Sequence, residues 1–108
     1  ECSIYLYGVD LFNHNYYWEA HEAWEDLWKT APQSSALARF LRGLIQLAAM
    51  HLKLRDGNER GAKKLRVTAL DNLAIPTDSK AYMGVDIATL CQRIAQTPSA
   101  ALHLKLAL

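Results

Sequence analysis

The 108-residue sequence contains few of the residues that mark several common protein classes. Its two cysteines, Cys2 and Cys91, lie far apart and match neither a metal-binding nor a redox spacing. A disulfide framework is therefore not expected, and two free thiols favour a cytoplasmic protein. The formal net charge is only +1, whereas a domain dedicated to binding nucleic acid normally carries a strong basic excess. We therefore do not expect nucleic acid as a partner.

Long apolar runs are also missing. The most apolar stretch, 43–54, is interrupted by Gln46, His51 and Lys53 and is too short to cross a membrane. The start of the chain lacks the basic region and apolar run of a signal peptide. We therefore expect no membrane partner. Hydrophobic residues nevertheless make up 51% of the chain, enough for the core of one compact domain spanning 1–108.

The spacing of apolar residues predicts five helices and almost no sheet. The predicted helices span about 3–13, 16–29, 36–56, 59–74 and 87–96. The residues expected to cap their N-termini are Asn15, Ser34 or Ser35, Asn58 and Asp86. Gly57 is expected to end the third helix in a left-handed conformation. Because the connections are short, consecutive helices should form antiparallel hairpins. The expected fold class is therefore all-α, a single compact bundle.

The third predicted helix has the widest apolar face, so we expect it to be central. Gly43, Ala48 and Ala49 lack bulk and would let a neighbouring helix approach closely. A polar loop over 77–84 should follow Pro76, and the fifth helix should stop at Pro98. The C-terminal part, 85–108, would comprise the fifth helix and a tail. The alternating tail 102–106 is either extended or a frayed helical end.

The second predicted helix contains the most informative segment, 18–28, with all three tryptophans, one histidine and four acidic residues. At helical spacing His21 and Glu25 share one edge, beside the aromatic face. We expect a polar cluster between the second and third helices. Its candidate members are Trp18, His21, Glu22, Glu25, Gln46 and His51.

Three interpretations of this cluster remain open. A histidine and a glutamate four residues apart can share a divalent metal ion, but a third ligand is needed. His51 is the first candidate for that ligand and His14 the second. Without a metal, a carboxylate beside His21 could support acid–base chemistry; either arrangement would suit a hydrolase-like enzyme using His21 and Glu25. Most such pairs, however, are buried structural hydrogen bonds.

Binding partners are open in the same way. A polar cluster beside a large aromatic surface could line a pocket for a small ligand or a protein segment. Trp18 lies near the edge of the aromatic face, where it could form a binding platform or a dimer contact. The high apolar content of so short a chain favours burial of some surface in a homodimer. Function could then reside in that surface.

Two motifs resemble a known family. The first is EAHExWExxW over 19–28, preceded by LFN at 11–13, and the second is FLxGLIQxAA over 40–49. Together they resemble the domain-of-unknown-function 309 family over about 8–73. The resemblance implies a small all-helical domain without an assigned reaction. It also implies that the family pattern includes Glu19, His21, Glu22, Trp24, Glu25, Trp28, Gly43 and Gln46. One departure is His14-Asn15, where the family usually has glycine or another small residue.

Overall fold

A computed structural model describes residues 2–74 and 81–96. Five helices follow one another: α1 (Cys2–Asn13), α2 (Tyr17–Trp28), α3 (Ala36–Arg55), α4 (Glu59–Leu73) and α5 (Ile87–Gln96). A short antiparallel hairpin, β1 (Ala81–Tyr82) and β2 (Val85–Asp86), precedes α5 and pairs Tyr82 with Val85. The expected all-α class is confirmed. The described part of the predicted 77–84 loop forms β1 and the hairpin turn. Residues 77–80, Pro76, Pro98 and the tail at 102–106 lie outside the described residues.

Most of the helix ends follow from local hydrogen bonds. At the start of α3, the Ser35 Oγ accepts a hydrogen bond from the Ala38 N–H at 3.1 Å. Asn58 caps α4 through the Gly61 N–H at 2.8 Å, and the Asp86 carboxylate accepts from the Thr89 N–H at 3.2 Å. These side chains satisfy donors that the first helical turn leaves unpaired. Three predicted caps are therefore confirmed, as is the left-handed Gly57 (φ 77°) after α3.

The predicted cap at Asn15 is wrong. Asn15 has φ 69°, and the residue that caps α2 is Tyr16, which makes no capping hydrogen bond through its side chain. The Tyr16 and Asn15 N–H groups instead donate to Leu11 and Phe12 carbonyls at 2.9 Å each. This pattern is a Schellman motif, in which Asn15 takes the left-handed position that ends α1. Asn15 therefore serves the end of one helix, because asparagine tolerates this conformation.

The first helical hairpin closes around Trp24, which is fully buried. Its indole N–H donates to the Tyr5 carbonyl of α1 at 3.3 Å. Nearer the turn, the rings of Phe12 and Tyr17 meet edge to face at 5.1 Å. The two helices thus contact each other both near the turn and far from it, as in an antiparallel hairpin. Gly8 makes the approach possible, because a Cβ there would lie 2.6 Å from Trp24 Cδ1.

The next two hairpins place α3 at the centre. The start of α2 contacts the end of α3, where Tyr17 stacks on His51. The end of α2 contacts the first half of α3, where Arg42 lies over Trp28. On the other side, α4 packs so closely that a Cβ at Gly43 would lie 2.7 Å from Leu73 Cγ. The expectations that α3 is central and that Gly43 admits a close neighbour are both confirmed.

One hydrophobic core connects all five helices. The fully buried side chains of α3 form its middle: Phe40, Leu41, Leu44, Leu47 and Met50. The hairpin and α5 contribute Val85, Ile87, Leu90 and Ile94. The Tyr5 hydroxyl of α1 also donates to the Met83 carbonyl at 2.8 Å, which joins the first helix to the hairpin turn. Over 2–74 and 81–96, no helix combines the length and apolar character needed to cross a membrane.

Candidate functional site

Three potential metal ligands lie together on one edge of α2. His21, Glu22 and Glu25 each offer one ligand atom, and these atoms all lie within 4.8 Å of one another. His21 and Glu25 are half-buried, whereas Glu22 is exposed. The i,i+4 spacing brings His21 and Glu25 to the same face of the helix, and the Glu22 side chain approaches from the flank. The group is thus accessible from solvent without being fully hydrated.

The imidazole of His21 is held in place but not satisfied. Its ring is parallel to the Trp18 indole, with a 4° interplanar angle and 5.6 Å between centroids. The side chain is 20% exposed, yet its Nδ1 atom is buried and has no hydrogen-bond partner. The Glu22 Oε2 atom lies 3.8 Å from it, which is beyond hydrogen-bond range. This nitrogen therefore does not form the hydrogen bond that is expected of a buried structural pair.

The spacing of these ligand atoms fits a cation after a side-chain adjustment. In tetrahedral coordination, zinc bonds of about 2.0–2.2 Å place two ligand atoms about 3.3–3.6 Å apart. Separations of up to 4.8 Å therefore need a carboxylate to move by about 1 Å. The exposed Glu22 side chain can do so by a change of torsion angle. One nitrogen and two carboxylate oxygens suit zinc or a similar divalent ion.

His51, the other predicted metal ligand, lies in a different environment. It is 6% exposed, stacks on Tyr17 at 4.5 Å and meets the edge of Phe12 at 5.4 Å. Burial, together with a smaller effect of the nearby positive charge of Arg55, lowers the pKa of His51 to about 4. Its Nε2 atom is buried without a hydrogen-bond partner. His51 is thus a neutral member of an aromatic layer and does not join the three ligands on α2.

The two remaining polar candidates also lie elsewhere. The Gln46 side-chain oxygen accepts a hydrogen bond from the Asn72 amide at 2.7 Å, so Gln46 joins α3 to α4. His14 is exposed at the end of α1, where its Nδ1 lies 2.8 Å from the Asp10 carbonyl oxygen. Of the six predicted cluster members, the structure brings together Trp18, His21, Glu22 and Glu25.

A pocket of about 460 Å³ was not predicted from the sequence. It lies where the connection after α2 enters α3, near the end of α4. Its polar and aromatic lining includes Trp28, Ser34, Ser35, Arg39, Arg42 and Asn72. The sequence feature that could have indicated this pocket is a pair of arginines three residues apart in the first turns of α3. Only the folded chain places them beside Trp28 and Asn72.

Comparison with known families supports the resemblance seen in the motifs. The family model described as Domain of unknown function (DUF309) matches residues 5–65. The expected range was 8–73, so the match begins earlier and ends within α4. A comparison with curated proteins gives no significant match. Because the family model covers more than half of the 108 residues, the chain belongs to the DUF309 family.

Proposed function

We propose that this protein is a metal-binding domain that holds one divalent cation through His21, Glu22 and Glu25. The observation that carries the proposal is the convergence of three ligand atoms within 4.8 Å around an imidazole whose buried Nδ1 has no partner. A buried nitrogen without a hydrogen bond costs about 1–3 kcal/mol. Coordination of a cation by this nitrogen would offset that cost.

The number of ligands bears on the chemistry. Three protein ligands leave a coordination position open, which is typical of catalytic rather than structural zinc sites. An ion held in this way lowers the pKa of bound water and polarises carbonyl or phosphoryl oxygens. A hydrolase-like activity using His21 and Glu25 is therefore the enzymatic form of the proposal. Trp18, which is 56% exposed beside the imidazole, would form one wall for a substrate.

Metal binding is tested by titrating chelator-treated protein with Zn²⁺ and Mn²⁺ in a calorimeter and by elemental analysis. We expect one ion per chain, no binding by His21→Ala and at least tenfold weaker binding by Glu25→Gln. His14→Ala is the matched control, because His14 also lies beside a carboxylate, with 3.5 Å between its Nδ1 and the Asp10 oxygen. Binding should be unchanged in this variant.

The opposite outcome identifies a structural role. If neither ion binds stoichiometrically, or if His21→Ala binds as wild type does, the metal proposal is wrong. A loss of about 1–3 kcal/mol in the unfolding free energy of both His21→Ala and Glu25→Gln would then indicate a structural network. Far-UV circular dichroism of each variant separates loss of a ligand from loss of the fold.

A homodimer is the second candidate, and a separate observation favours it. Five of the six large apolar side chains exposed in the described residues lie between positions 4 and 18: Ile4, Leu6, Tyr7, Tyr16 and Trp18. From 2 to 13 the only charged residue is Asp10. Two copies of this surface related by a twofold axis would therefore meet little like-charge repulsion. Sedimentation at increasing concentration tests the dimer.

A further inference from the structure

The pocket at the start of α3 has a lining of one charge sign. It includes the arginines Arg39 and Arg42 and no acidic residue. Its volume of about 460 Å³ lies within the range of about 300–1,000 Å³ that is usual for small-molecule sites. A pocket of this size with two guanidinium groups is suited to an anion that has an organic body.

The two arginines are positioned in different ways. Arg39 donates to the Asp71 carbonyl at 2.7 Å and lies 4.0 Å from the Asp71 carboxylate, so α4 orients its guanidinium. This contact occupies part of a group with five N–H donors. The Arg42 guanidinium lies 5.3 Å from the centre of the Trp28 ring and has no hydrogen bond or ion pair to any residue within 2–74 or 81–96. No residue in the described ranges therefore competes with a ligand for its donors.

Other residues of the pocket lining offer groups that suit an organic anion. Ser34 and Ser35 also line the pocket, although the Ser35 hydroxyl already donates to the Pro32 carbonyl at 2.6 Å and accepts the Ala38 N–H. Ala36 begins the 20-residue α3, and the first helical turn adds a favourable field for negative charge. Trp28, whose ring lies beside the Arg42 guanidinium, adds indole surface to the lining, and Asn72, whose amide already donates to Gln46, lines the pocket as well. The polar groups suit a phosphate, and the indole suits a flat apolar body.

We propose that this pocket binds a small organic phosphate, with the phosphate on Arg39 and Arg42 and the organic body against Trp28. Guanidinium groups bind phosphate oxygens through paired, charge-assisted hydrogen bonds, which lysine does not reproduce. The site uses none of the three metal ligands on α2. It is therefore a second binding site, and its occupancy does not depend on a bound cation.

The test uses chelator-treated protein comprising all 108 residues, so that its result is independent of the metal proposal. The probes are adenosine monophosphate, adenosine and inorganic phosphate, and binding is followed by two-dimensional NMR of backbone, arginine Nε and indole N–H signals. We expect adenosine monophosphate to bind more tightly than either other probe and to shift the Arg42 and Trp28 signals. Arg42→Gln should raise its Kd at least tenfold.

Arg60→Gln provides the matched control, because Arg60 is an exposed arginine of α4 outside the pocket lining. Its Kd for adenosine monophosphate should equal that of wild type. An equal loss of affinity in both arginine variants would indicate general charge attraction and would overturn the proposal. Equal affinities for inorganic phosphate and adenosine monophosphate would rule out a contribution of the organic body to binding. Unchanged affinity in Arg42→Gln would exclude this pocket as the site.

Discussion

The three histidines that the structure describes show how surroundings decide the role of one side chain. His14 is exposed beside Asp10, His21 lies half-buried beside two carboxylates, and His51 is enclosed by aromatic rings. Among these three, only His21 lies in a group of three potential metal ligands. Helical periodicity places His51 on an apolar face. It does not reveal that Tyr17 would cover the imidazole.

The burial of His51 predicts that stability falls in mild acid. Its pKa is about 4 in the folded protein and about 6.5 in the unfolded chain. Between these values the unfolded chain binds a proton that the folded protein does not. The unfolding free energy should therefore be insensitive to this group above pH 7. It should decrease as pH falls from 6.5 to 4, by about 1–3 kcal/mol in total.

Urea unfolding of wild type and His51→Phe at pH 7.5 and 4.5 measures this contribution. Phenylalanine preserves the stacking on Tyr17 and cannot be protonated, so the variant should lose less stability between the two pH values. His14→Gln is the control and should lose as much as wild type, since His14 is exposed. An equal decrease in wild type and His51→Phe would contradict the assignment.

Among the elements, α3 and α4 pack closely at a glycine of α3. At Gly43 an added Cβ would lie 2.7 Å and 2.8 Å from two Leu73 side-chain carbons and 3.4 Å from the Ala69 carbonyl oxygen. Leu73 is itself fully buried, so its side chain has little free space to move into. The sequence predicted a close neighbour here, and the structure identifies it.

Gly43→Ala should therefore lower the unfolding free energy by about 1–3 kcal/mol through overpacking. Gly61→Ala is a matched control, because its Cβ would meet only the Asn58 side chain, at 3.0 Å and beyond. Alanine is favoured over glycine by about 0.8–1 kcal/mol inside a helix, as at Gly43, and by less in the first turn, where Gly61 lies. A Gly43→Ala protein that is less stable in thermal unfolding than Gly61→Ala despite this larger gain therefore reports overpacking at Gly43. A Gly43→Ala protein as stable as Gly61→Ala would show that α4 can move aside.

At the scale of the whole molecule, one end of the sequence has more apolar residues than the fold can bury. The buried face of α1 packs on Trp24, while Leu6 and Tyr7 remain 45% and 59% exposed. Exposed apolar groups gathered in one region favour association between copies. The homodimer proposed above uses this surface, and the proposed metal ligands lie on α2, the next helix.

Tyr7→Glu should abolish self-association if α1 forms the dimer contact, because a buried carboxylate without a partner strongly opposes it. Val67→Glu is the control, since Val67 is 62% exposed on α4, far along the chain from this region. Analytical ultracentrifugation of both variants and wild type over a range of concentrations measures the effect. A wild-type protein that remains monomeric throughout would rule out the dimer, and dissociation by both changes would place the contact elsewhere.

The sequence alone was sufficient to predict the five helices, three of the caps and the placement of His21 and Glu25 on one edge of α2. These features depend on residues at most four positions apart, whose interactions are set by helical geometry. The turn at Asn15 was misjudged because one residue can serve either of two helices. That choice depends on how α1 and α2 pack around Trp24.

Tertiary structure decided the remaining features, since they join residues distant in the chain. It paired Gln46 with Asn72 across 26 positions, separated His51 from His21, and formed the arginine pocket from parts of three helices. The family match ends at residue 65, yet Ile94 of α5 is fully buried in the shared core. Periodicity identifies the face of a helix that will be buried. The partner of that face is determined only when all helices compete for the same limited interior.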